Sequence, residues 1–339
     1  MKILVTGGTG YIGSHTVVEL QQEGFEVVII DNLSNSEKSV VDNISRITGK
    51  KPIFEQIDLT DRNATFDCIK RHSDIKGVIH FAALKAVGES VEKPLEYYQN
   101  NLFSLINLLQ ALKENELDNF VFSSSCTVYG QPDHLPVDET APRKQAESPY
   151  GNTKKMAEDI IEDTVISTGL HAIALRYFNP IGAHETAFIG ELPIGVPNNL
   201  VPYITQTAIG IREFLRVFGN DYNTPDGTPI RDYIHVVDLA KAHVVAVNRL
   251  LKEKYKKDYE IFNLGTGNGF TVLEVIKAFE RSSGENLNYQ IVERRPGDIE
   301  KVWADTKFAN DELGWKAEKN IDDMMSSAWK WELTLKDRK

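Results

Sequence analysis

Two clusters of residues in this chain could do chemistry together. Near the N-terminus, Gly7-Gly8-Thr9-Gly10-Tyr11-Ile12-Gly13 follows the apolar run Ile3-Leu4-Val5 and precedes a helical stretch, a second apolar run Val27-Val28-Ile29-Ile30, and then Asp31. Glycines so placed turn the chain tightly from strand to helix and bring backbone N–H groups against a pyrophosphate. The anion then sits on a helix N-terminus, where unpaired donors and the dipole favour it. Asp31 lies about 20 residues beyond, where a carboxylate accepts both hydroxyls of an adenosine ribose and repels a 2′-phosphate. NAD rather than NADP is therefore the expected cofactor. No Gly-Lys-Ser/Thr ending follows the glycines, which disfavours a nucleoside triphosphate loop. The pattern fits two frames, Gly8-x-Gly10-x-x-Gly13 and Gly7-x-x-Gly10-x-x-Gly13, and only residues further along can choose between them.

The second cluster is Ser148-Pro149-Tyr150-Gly151-Asn152-Thr153-Lys154. Serine is a good helix N-cap and proline suits the first helical position, so a helix should begin here with Tyr150 and Lys154 one turn apart on the same face. A free phenol has a pKa of about 10, and bringing it to neutrality takes about 4 kcal/mol of preferential anion stabilisation. Lys154, the helix N-terminus and a bound nicotinamide cation could together supply that, making Tyr150 a general base beside a hydride acceptor. Alone, a Tyr-x-x-x-Lys spacing marks a solvated helix face. Downstream of a dinucleotide signature, with Ser123-Ser124-Ser125 ending a preceding strand, it reads as chemistry.

These residues need a scaffold. Apolar runs at Pro52 to Ile57, Gly77 to Ala82, Asn119 to Ser123 and Ala172 to Phe178 alternate with helical patterns, which predicts a Rossmann-type α/β fold with a doubly wound parallel sheet. Ligands of such sheets lie beyond the carboxyl ends of the strands, so the residues after each run are the informative ones. After Asn179 the texture changes, with Gly and Pro dense to Pro202 and no regular alternation. The expected division is an NAD-binding domain over 1–180 and a smaller mixed α/β substrate-binding domain over 181–339, interleaved, with parts of 231–265 returning to the first. The helical stretches Pro94 to Glu114 and Pro149 to Ser167 carry apolar residues on more than one face, which fits either a helix bundle with a second subunit or burial within one chain.

Composition narrows the partners. Across 339 residues, 41% are hydrophobic and 26% charged, values of a globular chain. The net charge of −11 argues against nucleic acid or an anionic membrane surface as the main partner. Cys68 and Cys126 are too few for a disulfide framework or a cysteine-built metal site, and no metal is expected. The first strand begins at once and no apolar stretch nears 18 residues, so a soluble, cytoplasmic protein is expected.

Gly7-x-x-Gly10-x-x-Gly13, Ser125, Tyr150 and Lys154 together resemble the extended short-chain dehydrogenase/reductase family. The likeness narrows to its UDP-hexose 4-epimerase branch through Phe81 to Ser90, Leu175 to Pro180, Pro197 to Leu200, Arg231 to Val236 and Arg295-Pro296-Gly297-Asp298. It spans nearly the whole chain. The resemblance implies interconversion of UDP-glucose and UDP-galactose, with Tyr150 taking the proton of the sugar 4-hydroxyl, Ser125 hydrogen-bonding the reacting oxygen, and the C4 hydride passing to NAD and back to the opposite face. It assigns NAD to Gly7, Gly10, Tyr11, Ile12, Gly13, Asp31, Asn32, Asp58, Leu59, Phe81, Ala82, Lys85, Asn100, Lys154 and Phe178. The nucleotide sugar falls to Ser125, Tyr150, Asn179, Asn199, Leu200, Phe218, Arg231, Arg295, Asp298 and Val302. Separately, the apolar surplus on the two long helices makes a homodimer through a helix bundle the expected assembly.

One departure bears on specificity. Where epimerases restricted to glucose and galactose carry a tyrosine just before the last Trp/Ala-Asp of this stretch, the chain has Val302, so an N-acetyl group on the sugar's C2 is expected to fit. Cys126 stands where a small residue is usual beside the serine and reads as an apolar filler. A 4,6-dehydratase shares the fold and the Tyr-Lys pair but needs an Asp-Glu acid/base pair, where this chain has Cys126 and Thr127. A carbonyl reductase using NADPH would want a basic residue in place of Asp31, and a nucleotide sensor would not need Ser125, Tyr150 and Lys154.

Overall fold

A computed structural model describes residues 1–295 and 298–337. Among these, in chain order, the strands are β1 (Lys2–Thr6), β2 (Glu26–Asp31), β3 (Ile53–Gln56), β4 (Ile75–His80), β5 (Asn119–Ser123), β6 (His171–Tyr177), β7 (Asn179–Ile181), β8 (Leu215–Phe218), β9 (Ile230–His235), β10 (Tyr259–Leu264), β11 (Gly269–Thr271), β12 (Tyr289–Val292) and β13 (Lys301–Val302). The helices are α1 (Tyr11–Gln22), α2 (Ser39–Thr48), α3 (Arg62–Arg71), α4 (Val87–Glu92), α5 (Pro94–Glu114), α6 (Pro149–Thr168), α7 (Leu200–Ala208), α8 (Val236–Leu251), α9 (Val272–Ser283) and α10 (Ile321–Asp337).

Seven strands form one parallel sheet in the order β10-β6-β5-β4-β1-β2-β3. Successive side chains on a strand point to opposite faces, and the sequence supplies apolar residues at both. Ile3, Val5, Ile29, Ile79, Val121, Ile173 and Phe262 pack on one side with α1 and α8. Leu4, Val28, Val78, Phe120 and Ala172 pack on the other with α3, α5 and α6. Covering both faces is what a sheet built of continuous apolar runs requires. The strand order reverses direction between β1 and β4, which opens a crevice at their carboxyl ends.

The region after Asn179 is more ordered than its sequence texture suggests. A four-stranded sheet of β11, β9 and β13, with β7 also paired to β9, and a two-stranded sheet of β8 and β12 sit over a core of Ile204, Val217, Val275, Phe279, Met324 and Met325 from α7, α9, α10 and the strands. These strands run two to six residues, mostly too short to display a period. One signal was available: Thr271 caps α9 with Glu274 reciprocating, a capping box spelled out in the sequence. Two elements of this half lie with the large sheet: β10 pairs in parallel with β6, and α8 covers the face lined by Ile3 and Ile79.

Candidate active site

The cleft at the crevice has a volume of about 930 Å³ and is walled by the glycine loop, the ends of β2, β4 and β5, the start of α6, and residues 188–199. Its cradle is shaped by glycine. Gly7 has φ +68°, and a Cβ there would lie 2.8 Å from the Ala82 nitrogen. A Cβ on Gly13 would lie 2.2 Å from the Gly7 carbonyl oxygen. Gly10 is the N-cap of α1, so the free N–H groups of its first turn face the opening. A diphosphate fits that cradle. Asp31 ends β2, accepting from the Thr9 N–H (3.2 Å), the Leu33 N–H (2.9 Å) and the Ser36 hydroxyl (3.2 Å), so it aligns the glycine loop as well as offering a ribose acceptor.

Asn32 donates to Asp58 at 3.1 Å, and Thr60 donates twice to the same carboxylate, whose pKa these bonds hold below its ordinary value against the opposing effect of partial burial. Leu59 is buried, with its carbonyl taken by Asn107 at 2.9 Å. Phe81 lies 4.6 Å from the His243 ring, and the Ala82 N–H donates to Thr6 Oγ1 at 3.3 Å. Tyr11 donates to the Gly182 carbonyl at 2.6 Å, and Ile12 lines the cleft behind it. Asn100 lines the cleft and donates to Asn101, which in turn holds both backbone groups of Leu84 and the Thr153 hydroxyl. Lys85 reaches Glu191 at 3.4 Å.

The α6 N-terminus forms as its residue types dictate. Ser148 caps the Gly151 N–H at 3.1 Å with Pro149 in the first turn. Tyr150 and Lys154 then project into the cleft from one face. Lys154 Nζ donates to the Ser123 carbonyl at 2.7 Å and lies 4.8 Å over the Phe122 ring. Burial lowers its pKa to about 8, although Glu158 one turn on acts to raise it. Ser125 Oγ accepts from both the N–H (3.2 Å) and the hydroxyl (3.0 Å) of Thr127, so its own proton is free to point at the Tyr150 hydroxyl, with which it is hydrogen-bonded.

Burial, reinforced by Tyr177, holds the Tyr150 phenol well above its ordinary pKa, and only the Ser125 bond works the other way. Burial thus opposes ionisation of this phenol, and one of the Lys154 ammonium's donors is taken by the Ser123 carbonyl. Beneath lies a buried network that the pattern of catalytic types did not reveal. Glu158 accepts from the Ser124 hydroxyl (2.6 Å) and from two nitrogens of Arg176 (2.9 and 2.6 Å). Its signal was its place one turn past Lys154.

Across the cleft, Asn179 and Val302 line the wall. Val302 is buried and pairs with Arg231 where β13 meets β9. Asp298 gathers Arg231 (3.5 Å) and Arg295 (3.1 and 2.8 Å), leaving two guanidinium groups on one carboxylate at the rim. Pro296 and Gly297 lie outside the described residues. Asn199 precedes α7 and donates to Glu191 at 2.6 Å. Four expected residues are not on the cleft wall: Ser125 is buried just behind it, between the lining residues Ser123 and Cys126, Phe178 is buried in the apolar cluster behind Val302, Leu200 packs on the core of the smaller sheet, and Phe218 lies under the Arg295 guanidinium at 5.6 Å. Glu191, on which Lys85 and Asn199 converge, was not anticipated, since a single loop carboxylate has no local pattern.

The family model described as GDP-mannose 4,6 dehydratase matches residues 4–328. UDP-glucose 4-epimerase of Bacillus subtilis is 50% identical over 333 residues, covering 98% of this chain and 97% of that protein. The chain belongs to the UDP-glucose 4-epimerase family of extended short-chain dehydrogenases/reductases. Among solved epimerases of this family, that of Stenotrophomonas maltophila, with bound NAD and formylated UDP-arabinopyranose, is 49% identical with a TM-score of 0.96, each chain covered completely. The Bifidobacterium longum epimerase, in complex with NAD+ and UDP, is 45% identical with a TM-score of 0.94 over 98% of both chains. The dehydratase label of the broader model does not extend to the chemistry here. Cys126 has its thiol pushed up to about 12 by burial, and Thr127 is engaged with Ser125, so neither can serve as an acid/base pair.

Proposed function

We propose that this protein is an NAD-dependent UDP-glucose 4-epimerase that also interconverts UDP-GlcNAc and UDP-GalNAc. The carrying observation is that Tyr150 and Lys154, with Ser125 hydrogen-bonded to Tyr150 from behind the wall, face a cleft that has a glycine-built anion cradle on one side and paired arginines on the other. NAD held by the glycine cradle and Asp31 would supply a reversible hydride acceptor for the sugar C4, so that the epimerisation involves no net redox change. Tyr150 takes and restores the proton of the 4-hydroxyl, and a cationic group bound in the cleft would favour the ionised phenol that burial opposes. Ser125, whose oxygen is held by Thr127, would turn its one hydroxyl proton from Tyr150 to the reacting oxygen when the sugar is bound. Gly7, Gly10 and Gly13 cradle the dinucleotide diphosphate, and Asp31 accepts the ribose. Arg231 and Arg295 bind the UDP diphosphate, a role suited to planar guanidinium forks.

The wider sugar range rests on Val302. It lines the cleft wall and pairs with Arg231, and its side chain is smaller than a tyrosine ring at that place would be. We read the chain further as a homodimer joined through α5 and α6, acting in the cytoplasm. Leu95 (80% exposed) and Phe103 (51%) of α5, with Met156 and Ile166 of α6, support the first. No helix among the described residues is long and apolar enough to cross a membrane.

Purified protein incubated separately with UDP-galactose and UDP-GalNAc, with no cofactor added, should yield the C4 epimer of each. A preparation that contains no NAD and inverts neither sugar overturns the reading. Inversion of UDP-galactose alone removes only the acetylated sugars from it. Val302→Tyr should suppress turnover of UDP-GalNAc while sparing UDP-galactose.

A further inference from the structure

Away from the cleft, at the outer edge of the large sheet, three side chains of metal-binding type converge. Cys68 and His72 stand one turn apart at the end of α3, so they share a face, and Glu55 reaches them from the edge strand β3. The donor atoms of all three lie within 4.8 Å of one another. His72 Nε2 is 2.8 Å from one Glu55 oxygen, and Arg71 donates to the other at 2.9 Å. Cys68 is fully buried at the base, whereas Glu55 and His72 keep partial access to solvent.

We propose that Glu55, Cys68 and His72 form a binding site for a borderline-soft divalent transition-metal ion such as Zn2+. The set of one thiolate, one imidazole and one carboxylate is the mixture such ions take in tetrahedral sites. Ligand atoms around tetrahedral zinc stand about 3.3–3.7 Å apart, so the trio closes on an ion by small side-chain rotations. The Glu55–His72 hydrogen bond opens to admit it. Binding releases the Cys68 proton to solvent, and the thiolate and carboxylate then neutralise the ion's two charges. Arg71 stays on the outer carboxylate oxygen and orients the ligand, a common outer-shell arrangement. A solvent molecule completes the fourth position on the open side. An ion held there clips the end of α3 to β3, closing a loop whose turn carries Asp58 and Leu59.

Co2+ added to the full-length protein reports directly on the thiolate. One equivalent should produce the near-ultraviolet thiolate-to-cobalt absorption and the visible bands of tetrahedral coordination. Zn2+ should displace the cobalt and raise the melting temperature, and a chelator should reverse both. Cys68→Ser should abolish the charge-transfer band, and Cys126→Ser should leave it. His72→Gln, at a partly exposed position, should weaken binding by more than the roughly 10–100-fold that loss of an outer-shell partner brings, and it carries the test if Cys68→Ser does not fold by circular dichroism. Absence of a one-equivalent band, or a band that survives in Cys68→Ser or follows Cys126 instead, overturns the proposal, as does unchanged affinity in His72→Gln.

Discussion

Tyr150 sits where a phenol is hardest to ionise, and the cation nearest it in sequence is itself weakened by the same burial. The Lys154 ammonium loses its proton from about pH 8 in the folded protein, against an ordinary value of 10.5. Two opposite consequences follow. Turnover, which needs the charge, should fall as pH rises through about 8. Stability should move the other way: between about 8 and 10.5 the unfolded chain binds more protons at this lysine, so its contribution to stability rises with pH across that window. Wild-type turnover and denaturation midpoints measured from pH 7 to 11 should show the falling and rising limbs, and Lys154→Met should lack the rise. Tyr150→Phe should keep NAD, read by absorbance of the purified protein, and lose about 10²–10⁴-fold in kcat. The spacing of Tyr150 and Lys154 was legible because a helix cap fixes where the turn begins. That Lys154 is tethered to the Ser123 carbonyl was not, because the tether joins positions 31 apart.

At the scale of elements, the β1–α1 turn makes the sharpest demand. Gly13→Ala would place a methyl group 2.2 Å from the Gly7 carbonyl oxygen, so α1 could not close on β1. The variant should purify with little or no NAD and melt below wild type, whereas Gly49→Ala, strained by its left-handed φ of +71° but with a Cβ that meets nothing within 4 Å, should lower the melting temperature and still retain NAD at wild-type occupancy. The parallel strands were readable because both faces are buried and each strand is an apolar run. Their edges were less so: β4 begins at Ile75, two residues before the expected start, because exposed Lys76 interrupts the run. Phe81 and Ala82, expected within that strand, lie past its end and line the cleft. The second half resisted reading because its strands are short and pair across long separations, such as Gly269 with Asp232.

For the whole molecule, the apolar residues exposed on α5 and α6 ask for a cover that the described residues do not provide. Leu95, Phe103 and Ile166 are at least half exposed. Sedimentation should give twice the mass of one chain, and Phe103→Asp should shift the protein toward the monomer with its cleft chemistry intact. The sequence showed the surplus of apolar faces but left open whether a partner or the chain itself buries it. The path of the polypeptide sets a different limit. Because β10 and α8 come from the C-terminal half yet complete the large sheet, the halves are laced rather than strung. A recombinant fragment ending at residue 180 would present β6 as a raw edge and leave Ile79 and Val121 without their roof, inviting aggregation instead of a free-standing nucleotide module. Exchange of sugar-recognition parts between relatives must therefore proceed by loops and single side chains, never by cutting the gene at its apparent midpoint.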